Sequence, residues 1–201
     1  MRDVVRGLSW PTDEDLHASR LDTMIILAAH DARWAHDYAR EAAQLRHAVG
    51  DLLLDLQHIG STAVPELIAK PVIDMLAAVP GVEMLDTQRA TFESLGYQVM
   101  GEFGIVGRRY FRKDDSAGRR THQLHTFAVG SDEIQRHLDF RDYLRAHSAA
   151  AHEYAALKQK LVSECVDDMG CYSEGKTVFV REIEQRAAVW RVMGRIVGEV
   201  I

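Results

Sequence analysis

The stretch His58-Ile-Gly-Ser-Thr-Ala-Val-Pro-Glu-Leu-Ile-Ala-Lys-Pro-Val-Ile-Asp74 decides the fold, because it joins a Gly-Ser turn to a single carboxylate in an apolar strand. Residues 51–58 predict a strand that ends at the turn, followed by a short helix over 63–69 and a second strand over 71–79. Asp74 then lies in the middle of that second strand. A carboxylate there loses hydration unless it meets a metal, a cation or hydrogen-bond donors, so it marks a candidate functional site. The alternative is a structural carboxylate that accepts backbone N–H groups.

The spacing from Gly60-Ser61 to Asp74 is similar to that in nucleotidyltransferases of the polymerase-beta superfold, where a Gly-Ser pair opens a helix and an acidic strand follows. The string His-Ile-Gly-Ser-Thr-x-Val-Pro…Ala-Lys-Pro-x-Ile-Asp resembles the GrpB family, a branch of that superfold also found fused to dephospho-CoA kinase. The resemblance implies an α/β (α+β) fold. We therefore expect a nucleotidyltransferase-like mixed β-sheet flanked by helices, with a C-terminal helical cap.

The resemblance covers about residues 25 to 187. Its further matches, in the family's order, are Trp34, Arg109-Tyr-Phe-Arg-Lys113, Leu124-His125, Phe140-Arg-Asp-Tyr-Leu-Arg145, Tyr154…Leu157-Lys158 and Tyr172…Lys176. Two positions depart from the pattern. Glu66 stands where the family usually has Gly, and Leu76 stands where a polymerase-like signature has its second acid. Two acids at i and i+2 clamp two metal ions roughly 3.5–4 Å apart, and one acid alone cannot do so.

The resemblance also implies the chemistry of the site. Gly60, Ser61 and Thr62 would hold the phosphates of a nucleoside triphosphate, while Asp74 would hold the Mg²⁺ or Mn²⁺ that bridges them. His125 is the candidate for a second metal ligand. Strand alternation places it on one face of the sheet with Thr121, Gln123 and Phe127, while His122 faces away and is expected at the surface. The alternative for His125 is a half-buried histidine bonded to a neighbour.

A cluster of basic side chains in the predicted hairpin indicates an anionic ligand. Six basic residues fall within thirteen positions of an otherwise acidic chain: Arg108, Arg109, Arg112, Lys113, Arg119 and Arg120. Arg109, Lys70 and Lys176 are the predicted anion-binding residues, since guanidinium and ammonium groups match phosphate or carboxylate. For Arg112, Arg119 and Arg120 we expect a solvated hairpin with the charges facing water. Lys158 and Tyr172 could also reach the cleft. Gly175-Lys176-Thr177 is not a Walker A loop, because no strand leads into it.

Composition sets wider limits. The chain has 201 residues, 47% of them hydrophobic, which suffices for one compact domain. A net charge of −6 argues against nucleic acid as a partner. No run approaches the ~18 apolar residues of a membrane span, and no signal pattern opens the chain, so we expect a cytoplasmic protein.

In such a reducing compartment, Cys165 and Cys171 are expected to be free thiols. The oligomeric state stays open.

The chain divides into an N-terminal arm, 1–23, and one domain, 24–201, with a sheet core over 24–130 and a helical part over 131–201. Predicted helices cover 31–49, 82–95, 131–146, 148–168 and 174–197. Predicted strands beyond the first two lie near 97 and over 105–113 and 119–129.

Three hypotheses for the function follow. The leading one is transfer of a nucleoside monophosphate to a small-molecule acceptor, with Asp74 and His125 on a divalent metal and Ser61 on phosphate. The second is a catalytically silent binding or accessory domain that lacks the acid pair. The third is hydrolysis or ligation of an anionic metabolite. The first and third predict a nucleotide or another small anionic metabolite as the ligand, whereas no response to any nucleotide would favour the accessory domain.

Overall fold

The computed structural model describes residues 25–166 and 168–198, so the predicted arm over 1–23 lies outside the described residues. Its elements in chain order are α1 (Arg33–Val49), β1 (Asp55–Ile59), β2 (Ile73–Val79), α2 (Arg89–Ser94), β3 (Tyr97–Val99), β4 (Arg108–Asp114), β5 (Arg120–Ala128), α3 (Asp132–Ala146), α4 (Ser148–Glu164), α5 (Met169–Gly175) and α6 (Thr177–Gly198). Short 3₁₀ turns cover Gly50–Leu52, Ser61–Ala63 and Val82–Gln88. None of the described helices is long and apolar enough to cross a membrane.

The strands form one mixed sheet in the order β1-β2-β5-β4-β3. Only the central β2–β5 pair is parallel; the other neighbours are antiparallel. In the β2–β5 register Asp74 lies beside Gln123, and Leu76 lies beside His125. A parallel pair requires a long crossover, which the chain supplies with α2, β3 and β4. The predicted mixed sheet flanked by helices is confirmed.

Two layers of helix cover the two faces of the sheet. On one face, α1 and α2 pack over the main core, where Leu45, Met75, Phe92, Phe111 and Leu124 are fully or almost fully buried. On the other face lie the C-terminal helices, whose own core holds Leu144, Tyr154 and Ile183 together with Val64 and Leu67 from the β1–β2 connection. The helical part is therefore fastened to the sheet through the segment that follows the Gly-Ser turn.

That connection is not the predicted helix over 63–69. It makes one 3₁₀ turn and continues as turns and extended chain, and Ala69 pairs with Ala28 through both backbone N–H groups. Pro65 and Pro71 explain the difference, because the residue before a proline is disfavoured in helical conformation. Glu66, at φ +63°, adopts the left-handed conformation that favours glycine, which is the residue the family usually has at this position.

Other predicted boundaries shift in the same way. The helix expected over 82–95 is a 3₁₀ segment followed by α2, and the helix expected over 174–197 is divided between α5 and α6 at Lys176. Ser131 caps α3 as expected, since its side chain accepts from the N–H of Glu133.

The prediction of free thiols is wrong. Cys165 and Cys171 form a disulfide that links the end of α4 to α5. The two residues are six apart in sequence and their Cα atoms are 5.6 Å apart, within the usual range for such a bond. Cys165 is buried beside Tyr172, so the disulfide fastens the helix that carries this tyrosine.

Candidate functional site

A pocket of about 580 Å³ opens where β1 ends and β2 begins, between the sheet and the C-terminal helices. Its lining comprises Gly60, Ser61, Thr62, Ala69, Lys70, Val72, Asp74, Phe103, Arg120, Gln123, Phe140, Tyr154, Lys158, Met169, Tyr172, Ser173 and Lys176. The sheet supplies the floor, and α4 and α5 supply the wall. This volume lies within the range of small-molecule sites.

Gly60 brings the Gly-Ser turn directly against Asp74. Its φ of +70° is a conformation that side chains disfavour. A Cβ at this position would lie 2.9 Å from the Cβ of Asp74 and closer still to its Oδ2. The glycine is therefore required twice, by its backbone conformation and by the close approach of the carboxylate.

Asp74 is the single acidic side chain among the described residues that line the pocket. Burial raises its pKa from 3.8 to about 6, although Lys176 and Lys70 act in the opposite direction. Burial likewise lowers the pKa of Lys176 to about 8, against the attraction of Asp74. The carboxylate and the two ammonium groups thus share one poorly hydrated space.

Lys158 enters the same space from α4 and is only 2% exposed. Its Nζ donates to Ser61 Oγ at 3.0 Å and to the carbonyl oxygen of Ile68. The ammonium lies 4.5 Å from the ring centroid of Tyr154. Burial lowers its pKa to about 7, and the charge of Lys176 adds to this effect.

Six of the eight predicted site residues line this pocket: Gly60, Ser61, Thr62, Lys70, Asp74 and Lys176. Thr62 is turned into the structure, since its hydroxyl lies 3.0 Å from His58 Nε2 and donates to the carbonyl of Val72. Lys70 donates to the sulfur of Met169 at 3.4 Å, which connects the β1–β2 segment to α5.

Arg109 is not part of the pocket, contrary to the prediction. Strand alternation places it on the face of the sheet opposite Asp74, where its guanidinium forms a two-pronged ion pair with Asp86 at 2.6 and 2.7 Å. Arg120 lines the pocket instead, although it was expected, with Arg112 and Arg119, to be solvated. Its guanidinium pairs with Asp114 across the end of the hairpin.

The structure does not bring His125 into the pocket with Asp74. His125 lies beside Leu76 in the sheet, its Nδ1 is 3.2 Å from the guanidinium of Arg108, and its ring packs near Tyr110 and His137. Burial, His137 and Arg108 lower its pKa to about 3, which keeps the imidazole neutral.

His122 points to the opposite face of the sheet, as predicted, but it is buried rather than at the surface. It is 8% exposed, and its Nε2 lies 3.9 Å from a carboxylate oxygen of Glu41 on α1.

The residues present do not fit a protein-built metal centre. Leu76, at the position of the missing second acid, is 1% exposed in an apolar cluster with Ile59 and Phe127. Across residues 25–166 and 168–198, no group of three or more His, Cys, Asp or Glu side chains is placed to hold a metal ion. Asp74 alone would contact a divalent cation, and the ligand would have to supply most of the other oxygens.

Sequence reasoning gave no role to several pocket residues, among them Tyr154, Gln123 and Phe103. Tyr154 and Gln123 had been noted only as part of a motif and of a strand face, and Phe103 was not singled out at all. The register that places Gln123 beside Asp74 depends on a parallel pairing between distant strands. Tyr154 is four residues before Lys158, and this i, i+4 spacing was the one available signal that both face the same way.

Comparison with known proteins places this geometry in a family. The family model described as GrpB protein matches residues 24–186. The UPF0157 protein YqkA of Bacillus subtilis is 39% identical over 83% of this chain and 48% of its own length, so the chain spans about half of that relative. A dephospho-CoA kinase of Mycobacterium leprae is 27% identical over 82% of this chain and 46% of its own length.

Solved structures agree on the fold. The crystal structure of GrpB from Enterococcus faecalis is 40% identical, with a TM-score of 0.76 over 81% of this chain and 96% of that one. Terminal uridylyl transferase 4 from Trypanosoma brucei, with bound dUTP, gives a TM-score of 0.51 over 88% of this chain and 60% of that one. At 12% identity this second likeness shows the fold alone.

Proposed function

The chain belongs to the GrpB family, and we propose that its pocket binds a nucleotide or another small phosphorylated anion. The observation that carries this proposal is the composition of the pocket, where Lys70 and Lys176 accompany a single carboxylate and the buried amine of Lys158 lies beside Ser61. Such an excess of positive charge in a partly desolvated cavity favours an anion. The surplus stands out because the whole chain carries a net charge of −6.

Within this proposal the residues take separate parts. Lys176 and Lys70 neutralise phosphate charge, Ser61 contacts a phosphate oxygen, and the rings of Tyr154 and Tyr172 provide apolar surface for a base or another flat group. Asp74 orients the two lysines. It would also be the protein ligand of a Mg²⁺ or Mn²⁺ that arrived with the phosphates, and such a cation would polarise a phosphoryl oxygen.

The proposed activity is transfer of a nucleoside monophosphate to a small-molecule acceptor. The nucleotidyltransferase-like fold supports it, since the Gly-Ser turn and the strand acid stand at the same edge of the sheet. The second candidate is a binding or accessory domain without catalysis. The apolar surroundings of Leu76 favour this candidate, because they close the position at which a second acid would act.

A thermal-shift screen followed by calorimetry tests the binding proposal. The four nucleoside triphosphates are each added with and without Mg²⁺ or Mn²⁺, and a ligand at 100 times its Kd adds about 2.7 kcal/mol of stability. Lys176→Gln should weaken binding by about 1.5–3 kcal/mol, the range for a charge-assisted hydrogen bond. Lys160→Gln on the exposed side of α4 is the matched control and should bind like the wild type.

The two candidates are separated by product formation. Release of pyrophosphate from a bound triphosphate with a mixture of small hydroxyl and amine acceptors supports transfer. Binding without turnover supports the accessory role. No stabilisation by any nucleotide or by inorganic pyrophosphate would contradict the binding proposal itself.

A further inference from the structure

The hydroxyl of Ser61 is hydrogen-bonded to a buried lysine of α4. Lys158 Nζ lies 3.0 Å from Ser61 Oγ, and the ring of Tyr154, whose centroid is 4.5 Å from the same ammonium, lines the same pocket. Both α4 side chains are buried, Tyr154 at 6% and Lys158 at 2% exposure. Ser61 itself faces the pocket from the sharp turn that Gly60 begins. A serine within hydrogen-bonding distance of an amine is the arrangement of an activated nucleophile.

Lys158 has the environment of a base. Burial away from water disfavours the ammonium form, and the pKa of about 7 leaves a large neutral fraction at physiological pH. The titratable groups that face it are Lys176, which lowers its pKa further, and the phenol of Tyr154. Because the carbonyl of Ile68 accepts one N–H, the neutral amine can direct its lone pair to the serine hydroxyl.

We propose that Ser61 is a nucleophile toward tetrahedral phosphorus and that Lys158 is the general base that takes its proton. The substrate class rests on the proposed nucleotide or phosphate binding, since Lys70 and Lys176 line the same cavity. With a nucleoside triphosphate, the Ser61 Oγ–Pα bond forms as the bond from Pα to the pyrophosphate oxygen breaks. The hydroxyl proton passes to Lys158 Nζ, and pyrophosphate leaves with the electron pair of the broken bond. An acceptor hydroxyl or water then attacks Pα as the Ser61 Oγ–Pα bond breaks; the ammonium of Lys158 returns the proton to Oγ, and the proton of the acceptor passes to solvent.

A fluorophosphonate probe tests the nucleophile directly, because it forms a stable bond from serine oxygen to phosphorus with loss of fluoride. The full chain is incubated with the probe and labelling is followed by intact mass and by peptide mapping. We expect labelling at Ser61, its absence in Ser61→Ala, and a rate lower by on the order of 10²-fold in Lys158→Met. Ser163→Ala and Lys160→Met, on the exposed side of the same helix, are the controls and should label like the wild type.

The pH profile of the wild type provides a test that needs no variant at a buried position. The labelling rate should rise as pH passes through about 7, where Lys158 loses its proton, and then level off. Labelling that maps to a residue other than Ser61 would overturn the proposal. A folded Lys158→Met variant that labels as fast as the wild type, or a wild-type rate that does not change between pH 6 and 9, would overturn it as well.

The outcome is distinguishable from that of the binding proposal. Nucleotide binding by calorimetry with no labelling of Ser61 rejects the nucleophile and leaves the binding site in place. Labelling of Ser61 with no response to any nucleotide supports the nucleophile and rejects the nucleotide as its substrate. Incubation with each α-³²P-labelled triphosphate then shows whether the nucleotidyl group itself reaches Ser61.

Discussion

At the residue scale, the backbone of Gly60 and the side chain of Asp74 approach each other so closely that a larger residue at position 60 would clash. Gly60→Ala should destabilise the protein by roughly 2–4 kcal/mol, because the new methyl group meets Asp74 and the backbone has positive φ. Gly101→Ala is the matched control: its φ is +64°, but nothing lies within 4 Å of the added Cβ. Urea denaturation of both variants isolates the cost of the close approach. Equal losses in the two would mean that Asp74 moves aside freely.

Asp74 itself should make stability depend on pH. Burial raises its pKa from 3.8 to about 6, so the folded protein holds this proton more tightly than the unfolded chain. Its contribution to the free energy of unfolding is therefore complete below about pH 4 and is lost as pH rises through about 6. Asp74→Asn removes the titration and should gain stability relative to the wild type across that window, on the order of 1–3 kcal/mol.

Denaturation curves at several pH values between 4 and 7 measure this difference. Asp86→Asn is the contrasting variant: the hydrogen bonds from Arg109 lower the pKa of Asp86 below 3.8, so its difference from the wild type should stay nearly constant between pH 4 and 7. A difference between Asp74→Asn and the wild type that stays constant over the whole range would show that Asp74 is well hydrated.

Single residues differ in how far the sequence predicts them. Asp74 and Ser61 could be placed because their positions depend on a short local motif, and the structure brings them to one pocket. Alternation correctly separated His125 from His122, but it gives only the face of the sheet and not the distance along it. Arg109 was misplaced for a related reason, since its neighbours Arg108 and Tyr110 occupy the face that Asp74 shares.

At the scale of elements, the strands and the long helices were predicted to within a few residues, and two shorter helical segments were not. The strands are short, strongly patterned and bounded by turns. Residues 63–69 and 82–95 are compatible with a helix in their local sequence, but tertiary packing gives them 3₁₀ turns and, over 63–69, extended chain. The disulfide could not be derived from two cysteines of unremarkable spacing, because it depends on how α5 folds back against α4.

The disulfide should stabilise α5 and with it one wall of the pocket. Reduction of the wild type is expected to lower the free energy of unfolding by about 2 kcal/mol, the value for closing a loop of this length. Cys171→Ser, at the exposed end of the bond, should show the same loss and no further response to a reducing agent. Urea midpoints with and without dithiothreitol give both quantities. A wild type that is insensitive to reduction would contradict a stabilising bond.

At the scale of the whole molecule, the pocket joins residues more than a hundred positions apart, such as Gly60 and Lys176. Local patterns predict the helices that carry the C-terminal residues but not the end of the sheet they reach. That placement follows from the apolar contacts of Val64 and Leu67 with α3, α4 and α6, which are tertiary in origin.

The same arrangement puts a cationic cavity into an acidic molecule, and its charge should be visible in the salt dependence of binding. The affinity for a nucleoside triphosphate should fall as ionic strength rises, because ions screen the attraction between phosphates and the pocket lysines. Lys176→Gln should reduce both the affinity and the slope against salt. Arg109→Ala should leave both unchanged, since Arg109 is held by Asp86 on the opposite face of the sheet. Calorimetry at two ionic strengths decides between these outcomes. If Arg109→Ala weakens binding as much as Lys176→Gln does, the anion lies outside this pocket; if affinity does not respond to salt, charge is not what holds the ligand.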